Sequence, residues 1–304
     1  MSIQYGVQLH PLGQLASVDT IVELAMLIEE LGFGYVALPE HTIFPAALER
    51  MLTRNWYEPL TMVAYLAART RTLRFFTAVT VLPQRNPIAL AKQAATIDAL
   101  SGGRLGLGVA GGWLEQEITW MGGDPRQRGQ TVEENIRLMR ALWTQDPVNY
   151  SSAHHSITDA SFHPKPRGGT VPVLVGGAPR FSAPRAARLG NGWMPSAAYA
   201  ELPAAFDLLD RQLEQAGRSR ANFPVVFELP LFDQPAGVKQ FLREIDARLP
   251  ETFAGDYDQA ESRARALEML GVTHATISPP FDDLRALYTE LRRFAARFIG
   301  DHTR

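Results

Sequence analysis

Cysteine is absent from the chain. That excludes disulfides, thiolate metal sites and a cysteine nucleophile. A charge surplus is missing too: 30 Lys and Arg stand against 32 Asp and Glu, mixed along the sequence, for a net charge of −2. With no basic stripe and no polybasic tail, neither nucleic acid nor a membrane surface is an expected partner. No apolar run approaches the roughly 18 residues a membrane helix needs. The start, "MSIQYGVQLHP", has no basic stretch followed by an apolar one, so no signal peptide is expected and the chain reads as cytoplasmic. No Gly-x-Ser-x-Gly elbow points to a serine nucleophile. No His-x-x-x-His or His-x-His pair marks a metal site, and none is expected.

What the chain does have is alternation. Short apolar runs rich in β-branched residues, such as "IQYGVQL" (3–9), "YVALP" (35–39), "LRFFTAVTVL" (73–82) and "RLGLGVA" (104–110), are followed by longer amphipathic stretches. The second half repeats the pattern from "VPVLVGG" (171–177) to "THATISP" (273–279) and the helix after it. Helices are expected at 19–32, 59–70, 87–103, 131–143, 182–189, 201–216, near 237–248, at 259–270 and at 283–298. Eight strand–helix units in 304 residues fit a (β/α)8 TIM barrel in one domain spanning 1–304. A doubly wound open sheet is the alternative, but no Gly-x-Gly-x-x-Gly follows the first strand. The polar segment 147–170 breaks the rhythm. It reads as an insertion after strand four, a hairpin laid over the barrel mouth.

Active sites of such barrels lie at the C-terminal ends of the strands. Those ends carry His10; Glu40 and His41; Thr77, Ala78 and Val79; Gly111, Gly112 and Trp113; Gly176, Gly177 and Ala178; Ser196; Glu228; and Ser278. The two double-glycine turns can form anion-binding nests, and "VGGAPRFS" opens a helix whose dipole favours a phosphate, with Arg180 beside it. The alternative for each turn alone is a tight βα connection with no ligand. A histidine at this place suits proton transfer or hydrogen bonding, so His41 is a catalytic candidate, with Glu40 beside it as a second. Phe44, Trp56, Tyr57, Trp113 and Trp193 supply aromatic surface for a pocket with His10, Ser196 and Glu228, some of them as ordinary core. His154 and His155, in the insertion, are expected to be solvated.

"TAVTVLPQRNPIALAKQAATIDALSGGRLGLGVAGGWLEQE" closely resembles the segment that marks the bacterial luciferase-like family of flavin and deazaflavin enzymes. "GFGYVALPEHTIFP", "RGQTVEENIRLMRALWT", "HPKP" and "VPVLVGGAPRFSAPRAARLGNGWMP" agree in order and spacing. The combination of "PEH…P", "LPQRNP" and "GGW" resembles the subgroup that uses coenzyme F420. The resemblance implies an oxidoreductase that moves a hydride between F420 and a small organic substrate. FMN with O2, in a monooxygenase, is the alternative. It implies a ring across the mouth, a cofactor phosphate on the glycine turns, and a cis peptide within Thr77–Ala78–Val79. It also implies His41 as the active-site histidine, and a homodimer. Gly106 and Gly108 are read instead as relieving crowding inside the barrel. F420-dependent sugar-phosphate dehydrogenases carry Glu where this chain places Trp113. That argues against their substrate and leaves the general acid or base unassigned.

Overall fold

The computed structural model describes residues 3–10, 17–50, 55–229, 255–278 and 283–300. Eight parallel strand positions make a barrel. They are β1 (Gln4–Gln8), β2 (Tyr35–Leu38), β3 (Arg74–Thr77) continued by β4 (Thr80–Val81), β5 (Leu105–Ala110), β8 (Val173–Gly177), β9 (Gly192–Pro195), β10 (Val226–Leu229) and β11 (His274–Ile277). Their spatial order is β10-β11-β1-β2-β3-β5-β8-β9, and a parallel bridge from Trp193 to Val225 joins the two ends. The expected TIM barrel is therefore the fold. Helices α1 (Val18–Glu30), α2 (Pro59–Arg69), α3 (Pro87–Ser101), α5 (Arg128–Thr144), α6 (Pro179–Leu189) and α7 (Leu202–Gln215), with Tyr257–Leu270 and Leu284–Phe298, lie outside it. The helix expected near 237–248 falls outside the described residues. A short helix that the periodicity did not signal, α4 (Glu115–Trp120), follows β5.

Local chemistry sets the helix limits. At α3 the Asn86 side chain accepts from the Ile88 and Ala89 amides, Pro87 takes the first turn, and Gly102 stops the helix at φ +74°. At α2 the Glu58 carboxylate does the capping, accepting from Leu60 and Thr61.

The core has two shells. Between strands and helices lie Val7, Val36, Phe75, Leu107, Val175 and Trp193. Inside the barrel, Tyr35, Ala37, Phe76, Leu174 and Val226 pack together, with Ala78 and Met194 against them. The two aromatic rings cross edge to face at 5.0 Å. Gly6 and Gly106 leave them room: a Cβ at either would lie 2.4 Å from the Tyr35 or Phe76 ring. The expectation that Gly106 relieves crowding is met. The buried Tyr35 hydroxyl shares a 2.8 Å hydrogen bond with Thr276 Oγ1 across the barrel. Tyr35→Phe strands that threonine hydroxyl, so a loss of about 1–2 kcal/mol is expected, readable as a lowered denaturant midpoint.

The insertion is a hairpin, with β6 (Val148–Ser151) antiparallel to β7 (Ser156–Ala160). It does not cover the mouth. It leaves the end of α5 that is remote from the mouth and runs back along that helix. At its tip Ser152, His154 and His155 all hold Glu134 of α5, the histidines through Nδ1 at 2.7 and 3.1 Å. Lys165 Nζ donates to the Leu142 and Gln145 carbonyls at the end of α5. Of the two histidines expected to be solvated, His154 is, at 62% exposure, and His155 is only partly so; both are partnered by Glu134. The reason is physical: a helix that returns antiparallel to the strands delivers the chain to their N-terminal face, away from the loops of the mouth. Among the described residues no helix is long and apolar enough to cross a membrane.

Candidate active site

The mouth is built around His41, just beyond β2. Its Nδ1 lies 2.8 Å from Glu117 Oε2. The other carboxylate oxygen of Glu117 accepts from the amides of Thr42 (2.6 Å) and Ile43 (3.2 Å). Both side chains are buried, Glu117 to 1% exposure. Burial alone raises the Glu117 pKa, but the bonds from His41 and the two amides outweigh it and hold the carboxyl below its usual range. An ionised Glu117 only accepts, so the His41 proton belongs on Nδ1 and Nε2 is left for exchange.

Aromatic edges box the imidazole. Ring centroids of Trp56, Trp113 and Phe44 stand 5.0, 5.7 and 5.9 Å away, all nearly perpendicular to it. His10 stands 6.3 Å from Trp56. Burial and then the neighbouring His41 lower its pKa to about 4, so it is neutral near pH 7. Tyr57 shares a crevice with His10 that Leu9, Ile21, Leu38, Pro39 and Met62 also line. The structure therefore gathers His10, His41, Phe44, Trp56 and Trp113, with Tyr57 beside them.

Glu40 does not work with His41. One oxygen accepts from the Val81 amide at 2.6 Å, and the other takes the Arg85 guanidinium, with Nε at 2.6 Å. Arg85 Nη2 also reaches Glu58 Oε1 at 2.6 Å. The carboxylate thus ties β2 to β4 and to the cap of α2. The pairing of Glu40 with His41 in catalysis is corrected on that ground: both its oxygens are already engaged.

The other strand ends converge. Thr77 is buried and donates its hydroxyl to the Gly108 carbonyl at 2.8 Å, so its side chain is committed to the wall. The Ala78–Val79 peptide is cis, at the place expected. Val79 touches the β8 turn, where a Cβ on Gly176 would come within 3.1 Å of its Cγ1. Gly112 has φ +78°, and a Cβ there would meet Val81 Cγ1 at 2.6 Å. Gly111 faces only the Arg128 side chain, no nearer than 3.4 Å, and Gly177, at φ +115°, has nothing within 4 Å. Ala178 caps α6, whose first turn opens beside this bare backbone. Arg180 is exposed, with its guanidinium 4.5 Å over the ring of Phe181. Ser196 is exposed and fixes the Gly177 carbonyl through its amide at 3.0 Å. Across the mouth, Ser278 Oγ lies 2.6 Å from Glu228 Oε1 and 3.2 Å from Gln8 Oε1.

Sequence reading missed Glu117, Arg85, Gln8 and Arg128. Glu117 left one trace: in "LEQEITW" the helical turn places it one turn after Trp113, beside the apolar Ile118 with which it is buried.

Relatives were found by sequence and by structure. The chain is 32% identical over 207 residues to an uncharacterized protein of Mycobacterium tuberculosis, covering 64% of this chain and 73% of the relative. It is 28% identical over 231 residues to the F420-dependent glucose-6-phosphate dehydrogenase of Microbacterium testaceum, 71% of this chain and 65% of that one. It is 31% identical over 180 residues to the FMNH2-dependent dimethylsulfone monooxygenase of Pseudomonas putida, 57% and 47%. Among solved structures, an F420-dependent secondary alcohol dehydrogenase in complex with an F420–acetone adduct superposes with TM-score 0.79 at 17% identity, covering 99% of both chains. At that identity the match speaks for the fold alone. The description "luciferase-like monooxygenase" belongs to the family model that matches residues 1–232. With that match over most of its length and the barrel that goes with it, the chain belongs to the luciferase-like monooxygenase family.

Proposed function

We propose that the protein is an F420-dependent oxidoreductase that transfers a hydride between the coenzyme and a small organic substrate. The observation that carries the reading is the mouth itself: a buried His41–Glu117 pair facing two adjacent glycine turns whose backbone is bare. A deazaflavin or flavin fits there. The open backbone at Gly111 and Gly177, on neighbouring strands, admits a phosphate that side chains would otherwise displace, and the head of α6 favours its charge. Arg128 and Arg180 flank those turns. When bound, such a cofactor supplies the two-electron chemistry. Trp56, Trp113 and Phe44 shield the reacting region from water, and Glu117 holds His41 so that Nε2 can give or take a proton.

The test is a fluorescence titration of the purified protein with F420 and, separately, with FMN. Tight binding of F420 with weak binding of FMN is expected. The second reading, an FMNH2- and O2-dependent monooxygenase, is supported by the Pseudomonas putida relative. A preference for FMN, with product formation that requires oxygen, would replace the first reading by the second.

The pair also gives a graded expectation. Glu117→Ala frees the His41 ring and two amides, so turnover should fall about 100-fold. Coenzyme affinity should change far less, because the glycine turns are untouched. Equal losses in both quantities would mean that Glu117 only shapes the binding site.

A further inference from the structure

We propose that Glu228 is the proton donor of this site, delivering a proton to the oxygen of a neutral carbonyl substrate. The inference rests on the hydride-transfer reading above. Val226 belongs to the barrel-interior cluster. Glu228, two residues on in the same strand, therefore points inward one layer nearer the mouth. It is exposed on the side of the mouth, and on the side of the barrel its carboxyl meets Ser278, which also reaches Gln8.

Three oxygens meet there with few protons to share. The Ser278 hydroxyl has one proton and faces two acceptors, Glu228 Oε1 and Gln8 Oε1. With Glu228 ionised, Ser278 can satisfy only one of them. With Glu228 protonated, the chain closes: the carboxyl donates to Ser278 Oγ, and Ser278 donates to Gln8. The groups facing Glu228 add no positive charge. From β1 comes Gln8, and from β11 and its extension come Thr276, the register partner of Glu228, and Ser278; the same two strands and their extensions carry His10 and His274. Both histidines are neutral near pH 7, each with its pKa lowered to about 4. Among the described residues no cation pairs with Glu228. Burial pushes the carboxyl upward and only the Ser278 bond opposes it.

The step balances. A reduced deazaflavin, when bound, would supply the hydride to the carbonyl carbon, and the π electrons of the C=O bond would pass to its oxygen. That oxygen takes the Glu228 proton and the product is an alcohol. Glu228 is left as a carboxylate, and the Ser278 proton turns from Gln8 to it. Water in the mouth then returns a proton to the carboxylate. Substrates that place their own carboxylate or phosphate at this point would face the charge left on Glu228, so neutral ketones and aldehydes are the matching class.

Infrared difference spectroscopy on the free protein tests the proton directly, with no cofactor present. The carbonyl stretch of a protonated carboxylic acid should be present in the wild type at pH 7 and missing in Glu228→Gln. In Gln8→Met, which removes the acceptor that competes for the Ser278 proton, that proton is free to turn to Glu228 and the titration midpoint should move to lower pH. Absence of the band in the wild type at pH 7, or a midpoint unmoved by Gln8→Met, overturns the proposal. With reduced F420 and a panel of ketones, Glu228→Gln should lose at least about 100-fold in turnover while F420 affinity is kept. Wild-type turnover in that variant overturns the proton role. F420 binding without turnover of any ketone overturns the substrate class. Failure to bind F420 brings down the underlying reading instead, and the infrared result still decides the state of Glu228.

Discussion

Arg85→Met should cost about 3–5 kcal/mol of stability, the usual penalty for leaving a buried charge without its partner. Glu40 is the charge in question. It is 5% exposed and its compensation comes from one amide and from Arg85. The pair is also a mechanical joint, because Arg85 reaches on to Glu58 at the head of α2. Chemical denaturation should show the loss as a lower midpoint with an unchanged slope. The double variant Glu40→Leu/Arg85→Met should recover much of it, since an apolar pair of similar bulk has no charge to desolvate. If the single variant loses less than about 1 kcal/mol, the joint is ornamental and Glu40 becomes available for chemistry again.

Gly108→Ala should be as damaging, at about 4 kcal/mol or more, the size reserved for mutations with a definite steric cause. An added Cβ would stand 2.0 Å from the Thr77 carbonyl oxygen and 2.6 Å from Met194 Sδ. The methionine can swing aside. The carbonyl cannot, because Thr77 is bonded to Gly108 through its hydroxyl and the next amide, that of Ala78, donates to Leu38 at 2.7 Å. Gly111→Ala is the control: only the flexible Arg128 side chain lies near, no closer than 3.4 Å, and thermal stability should barely change. Equal effects at the two positions would contradict the packing account.

Much of this was legible in the chain. Strands three and four could be placed from β-branched and glycine patterning, and the ends of α3 from Asn-Pro before it and Gly-Gly after it. The mouth residues followed once strand ends were known, because the barrel puts its loops together whatever their sequence. The hairpin was recognised as a hairpin but set on the wrong face, since periodicity carries no record of which end of the barrel a segment leaves. The roles of Glu40 and Glu117 were invisible for a related reason. Adjacency in sequence favoured Glu40 as partner of His41, whereas the partner lies 76 residues away on a helix of six residues, too short to announce itself. Glu40 is instead bound to an arginine 45 residues on. Long-range pairing of charges is decided by tertiary proximity, which no local pattern encodes.

The interior layer just beneath the mouth is lopsided. Ala37, Ala78, Gly108 and Gly176 give one half a low, smooth floor, while Gln8, Glu228 and Ser278 give the other a polar rise. A planar molecule lying on the smooth half has one side against protein and the other toward the opening, and its in-plane rotation is set by the polar half. Its two sides are therefore never equivalent. A prochiral carbon brought to it is approached from one side alone, so under the proposed hydride transfer the alcohols should form as a single enantiomer.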